Sequence, residues 1–116
     1  MRGLGESLNS AKDALSRAIE SLSASPVAGA SDVAMRQLVT RLQFARNALI
    51  ENEGRIWLRT RAGKEMLSAY QESSNGLLRA VESEASIEEI EDALVDVESQ
   101  AKRLNEETRR RSMVVT

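Results

Sequence analysis

Four stretches of the chain repeat apolar side chains at the spacing of a helix lying along a neighbour. In the first, Leu4, Leu8, Ala11, Leu15, Ala18 and Leu22 alternate steps of four and three residues. That rhythm returns apolar groups to one narrow face at every second turn. Ile19 widens the stripe, and the pattern predicts a helix from about residue 3 to 24. The segment from Ser23 to Ala30 then loses the rhythm around Pro26. Proline cannot continue a helix interior and holds the preceding residue away from helical dihedrals, so a connection is expected there.

Ser31 is placed to cap a second helix, with Asp32 at the positive end of its dipole. Met35, Leu38, Leu42, Ala45 and Leu49 continue the same spacing, and Val39, Phe44, Ala48 and Ile50 broaden it beyond one seam. A stripe that wide suits a central helix covered on two sides. The next stretch, Glu53 to Gly63, supports two readings. Two glycines, Gly54 and Gly63, each cost a helix roughly 1 kcal/mol relative to alanine, which favours a turn and a separate third helix ending near Glu82. The phase set by Met35, Leu42 and Leu49 nevertheless continues through Ile56, Gly63, Tyr70 and Leu77, as one long kinked helix would have it. On that second reading Asn52 and Arg59 fall at seam positions near a two-fold axis, where polar groups fix register.

The last helix has the clearest start. Ser86 with Glu89 is a capping-box pair, and Ile87, Ile90, Leu94, Val97, Ala101 and Leu104 follow at helical spacing. The fold class expected is all-α: an antiparallel bundle of three to four amphipathic helices with coiled-coil-like heptad seams, or a variant with one long kinked central helix. Leu15, Leu42, Leu49, Leu94 and Val97 mark the seam centres. At 116 residues the chain has the size of one domain, residues 1–116.

Composition sharpens this picture mainly by exclusion. Phe44, Trp57 and Tyr70 are the only aromatics, so the core must be aliphatic. With no cysteine and no histidine, a disulfide, a Cys/His zinc site, a thiolate nucleophile and a Ser-His-Asp triad are all ruled out. No cofactor or metal is implied. No apolar run reaches the length of a membrane span, and the first residues lack a signal-peptide core, so a cytoplasmic protein, or one inside a viral particle, is expected.

Charge is unevenly spread. Residues 31–64 carry seven basic and three acidic side chains, a net +4, whereas residues 65–107 carry three and twelve, a net −9. Such segments attract each other within one fold or address separate partners. Arg55, Arg59, Arg61 and Lys64 with Trp57 are the candidate nucleic-acid group, since basic side chains neutralise phosphates and an aromatic face stacks on bases. The plainer reading pairs these arginines with the acidic last helix and packs Trp57 at a junction. Glu84, Glu88, Glu91, Asp92 and Glu98 form a carboxylate cluster, but they fall between the seam positions and suit a solvated face. The run Arg61-Ala62-Gly63-Lys64 ends like a phosphate loop but lacks the earlier glycine and the hydroxyl residue after lysine.

The remaining candidate is the apolar surplus: Val39, Phe44, Ala48, Ile50 and Ile56, with Met113 to Val115 in the tail. These complete a monomer's core or drive self-association. The function expected is a non-enzymatic helical interaction protein, a self-associating structural, scaffolding or adaptor component of a cellular or viral assembly. A homo-oligomer is expected, a dimer first, alongside other protein partners. The alternative is a small nucleic-acid-binding protein using the arginine-rich middle segment.

Overall fold

The computed structural model describes the backbone of residues 4–114 and the side chains of residues 5–112; the expected apolar tail, Met113 to Val115, lies outside those side chains. Four helices result: α1 (Leu4–Ala24), α2 (Asp32–Asn52), α3 (Arg61–Glu82) and α4 (Ile87–Val114), with no strand among the described residues. Their starts are set by local chemistry. The Ser31 hydroxyl accepts from the Ala34 N–H at 3.1 Å, Thr60 from Gly63 at 3.2 Å, and Ser86 from Glu89 at 3.2 Å, each satisfying a donor left free by the first helical turn.

Each helix packs against two others. α1 lies beside α2 and α3, and α4 lies beside the same two, leaving α2 and α3 on one diagonal. Side-chain contacts give the directions. Arg46 reaches Ser16 and Lys12 reaches Glu53, so α1 and α2 run oppositely. Gln71 donates to Ser10 and Arg17 to Glu82, so α1 and α3 run the same way. Arg41 meets Glu98 and Asn52 meets Asn105, which makes α2 and α4 parallel.

One continuous core fills the centre. Leu15, Leu42, Leu49, Leu94 and Val97 are each 0% exposed, together with Ala11, Ala18, Leu67, Leu77 and Leu104. Alanines at these positions let the helices approach closely. Tyr70 crosses the diagonal and donates its phenolic hydroxyl to the Ala45 carbonyl at 2.5 Å. Burial holds that phenol well above its ordinary pKa, so it stays a neutral donor.

The two readings of residues 53–63 are settled in favour of the turn, and the long central helix is corrected. α2 stops at Asn52, and Gly54 takes φ +89°, a left-handed conformation open to glycine at little cost. Because α2 and α3 are diagonal, the chain must cross one end of the molecule between them. It does so through a 3-10 turn, Ile56–Arg59, whose Leu58 is 1% exposed. The molecule measures 51 × 31 × 18 Å. No helix among the described residues is long and apolar enough to cross a membrane.

Candidate interaction surfaces

The candidates named from sequence separate once the helices pack. Ala48 is buried and Val39 half-buried within this chain's own core. Phe44 stays 72% exposed, Ile50 47% and Ile56 81%. Phe44 and Ile50 share a helix but not a face, because six residues turn a helix by about 240° less whole turns. Phe44 points to the flank beside α4, and Ile50 to the flank beside α1. Ile56 is remote from both, on the 3-10 turn.

Two residues missed in the sequence join Phe44. Val33 is 55% exposed and stands eleven residues before it, three turns of the same helix, so both lie on one line. Val95 of α4 is 50% exposed. The bridge that places them together is Arg41, whose Nε and Nη2 donate to the two carboxylate oxygens of Glu98 at 2.9 and 2.6 Å. Glu98 holds the Arg41 guanidinium firmly charged, its pKa above the ordinary value. Phe44 follows Arg41 by one turn and Val95 precedes Glu98 by one turn. A broken apolar strip therefore runs past this ion pair on the outer α2–α4 face, with the exposed Gln37 and Thr40 between Val33 and Phe44. Val33 and Val95 were hidden from sequence reasoning because each adjoins the seam of its own helix and stands just outside its phase.

The arginine-rich segment lies at one end of the molecule. Arg55, Arg59, Arg61 and Lys64 are exposed; Arg61 pairs with Glu65 of its own helix, and the other three form no ion pair among the described residues. The expectation that this group pairs with acidic α4 holds for Arg41 alone of the middle segment. Trp57 is half-buried and committed elsewhere. Its indole N–H donates to Thr108 at 3.0 Å, and the Arg111 guanidinium lies 5.0 Å from its ring centroid. Thr108 in turn donates to Asn52 at 2.6 Å, and Asn52 donates to Ala48 and Asn105. Asn52, 4% exposed, thus fixes the crossing segment to α2 and α4 within one chain, not a register between two. Arg59 is exposed and has no part in it. The Arg110 and Arg111 side chains close on Glu107 and hold its carboxyl below the usual range.

The carboxylates Glu84, Glu88, Glu91 and Asp92 are exposed at the opposite end, while Glu98 is taken by Arg41. No group of three or more potential metal ligands converges among the described residues. Charge is therefore sorted along the long axis. α4 carries acids at its start and arginines at its finish, as its dipole prefers, but α3 begins with Arg61 and Lys64 and ends with Glu82. In α3, Glu65 near the start and Arg79 in the last turn follow the dipole. Because α3 and α4 run oppositely, the basic start of α3 lies at the same end as the arginine-rich close of α4, and Glu82 and Glu84 lie at the same end as the acidic start of α4. Comparison with known proteins returns no match: no family model, no curated sequence and no solved structure matches the chain.

Proposed function

We propose that this chain is a non-enzymatic helical protein–protein interaction protein, a self-associating structural, scaffolding or adaptor component of a cellular or viral assembly. The observation that carries this is the strip of Val33, Phe44 and Val95, left outside a core that is already complete. Covering a side chain the size of Phe44 is worth roughly 1.5–3 kcal/mol, and nothing in its own fold does so. A strip of this kind, with a charged pair at its middle, matches a copy of itself across a two-fold axis, which favours a dimer. The helices themselves are read as meeting along coiled-coil-like heptad seams. Burial of Leu8, Ala11, Leu15, Ala18 and Leu22 in unbroken steps supports that finer description.

Nucleic acid is the second reading, favoured by the exposed Arg55, Arg59 and Lys64. It lacks its aromatic platform, since Trp57 is held by Thr108 and Arg111. Retention on single-stranded DNA or RNA at low salt would support it.

Chemical cross-linking followed by mass measurement tests the first reading. At high salt, which screens contacts between charged surfaces, the unmodified chain gives a cross-linked dimer, Phe44→Asp abolishes it, and Ile50→Asp on the other flank leaves it in place. Equal cross-linking before and after Phe44→Asp refutes the proposed face.

A further inference from the structure

The two ends of the molecule differ in shape as well as in charge. At the basic end Ile56 projects from the 3-10 turn, 81% exposed, with Arg55 before it and Arg59 one turn on. At the acidic end a cavity of about 380 Å³ opens between the close of α1, the α1–α2 connection and the α3–α4 turn. Leu22, Val27, Val81 and Ala85 line it with apolar groups, Ser21, Ser25 and Ser86 with hydroxyls, and Glu82 and Glu84 also border it. An exposed apolar side chain between two arginines thus stands at one end, and a hollow of mixed apolar and hydroxyl lining, bordered by two carboxylates, opens at the other.

Two features indicate that this pairing is more than helix chemistry. Arg61, Lys64 and Glu82 sit at the ends of α3 that its dipole disfavours, so these three charges do not serve the helix that carries them. Glu84 also sits at φ +58°, where Glycine is the ordinary residue, closing α3 through the Ala85 N–H to the Ala80 carbonyl at 3.0 Å. The chain places a carboxylate beside the cavity although the backbone there favours a residue without a side chain. Glu84 forms no ion pair among the described residues, and Glu82 shares only the long contact to Arg17, at 3.4 Å.

We infer that the ends join between copies: Ile56 of one chain enters the cavity of the next, with Arg55 and Arg59 beside Glu82 and Glu84. The length of α3, 22 residues or about 33 Å, separates the two ends, so one chain cannot satisfy both within itself. An apolar contact ringed by opposite charges has the anatomy of a specific interface. Joining unlike surfaces makes a heterologous contact, which propagates into rings or open filaments. The inference rests on the reading of the chain as an interaction protein, but not on the Phe44 face.

The test uses two variants that each spoil one end, Ile56→Asp and Glu84→Lys, both in a Phe44→Asp background that removes the lateral contact. Sedimentation velocity at low salt is the readout. Phe44→Asp alone forms a concentration-dependent series of larger species, which shrinks at high salt because the charged ring is screened. Each double variant is monomeric, with association weakened at least about tenfold, the equivalent of roughly 1.4 kcal/mol. Mixed in equal amounts, the two double variants form a complex of two chains and nothing larger, because one good end of each remains. A mixture no heavier than its components overturns the inference, as does unchanged association in the Ile56→Asp variant. Salt-sensitive retention of a single-stranded oligonucleotide that needs Arg55 and Arg59, in a chain that stays monomeric, overturns it in favour of a polyanion at the basic end.

Discussion

The end that carries Trp57 and the end that carries Glu84 both reverse the chain, yet they are built on different principles. The first spans a diagonal and is fixed by close packing and a buried polar chain. Leu58 fills the gap between helices, Gly63 lets the crossing segment touch α3, and Trp57, Thr108, Asn52 and Asn105 link three elements. The second joins neighbouring helices with a short turn and holds it by backbone hydrogen bonds around a left-handed Glu84. The difference teaches where sequence is spent. A connection between neighbours needs little, and tolerates a residue poorly suited to its backbone. A connection across the diagonal needs a plug, a glycine and matched polar partners.

The largest expected effect falls on the plug. Leu58→Ala should destabilise the protein by about 2–5 kcal/mol, like Leu42→Ala in the centre of the core, because each leaves a cavity. Thermal or urea unfolding checks this. A Leu58→Ala loss below a tenth of the Leu42→Ala loss would show the crossing segment to be an attachment and not part of the core.

Next comes a pair of opposite sign. A Cβ at Gly63 would stand 2.4 Å from the Leu58 Cα, so Gly63→Ala must push the crossing segment off α3, at about 1–3 kcal/mol. Glu84→Gly should do the reverse and stabilise the acidic end by under about 1 kcal/mol, since relief of the left-handed strain exceeds the entropy glycine loses on folding. Denaturation midpoints of the two variants make the comparison directly. Shifts in the same direction would erase the contrast between the ends.

The distribution of these features explains what the sequence could reveal. Helix periodicity was legible because burial repeats along each helix, and Leu15, Leu42, Leu49, Leu94 and Val97 all lie in the core. The caps at Ser31 and Ser86 were legible because they act within one turn. Continuity through Gly54 was not, because phase is a one-dimensional property that survives a turn of suitable length. Asn52 read as a polar seam residue between two chains; its partners Asn105 and Thr108 lie more than fifty positions away, and only the packing of α4 on α2 brings them near. The exposed apolar residues were legible in part. Apolar surplus can be counted in a sequence, but which flank it occupies depends on which helices become neighbours. Phe44, Ile50 and Ile56 were therefore identified, while Val33 and Val95 emerged only with the fold.

Self-association is the central claim, and sedimentation equilibrium of the unmodified chain tests it most directly. Measured from low to high micromolar concentration at low ionic strength, the mass should rise from that of one 12.8 kDa chain to that of two or more. A mass that stays at one chain across the whole range would contradict the account.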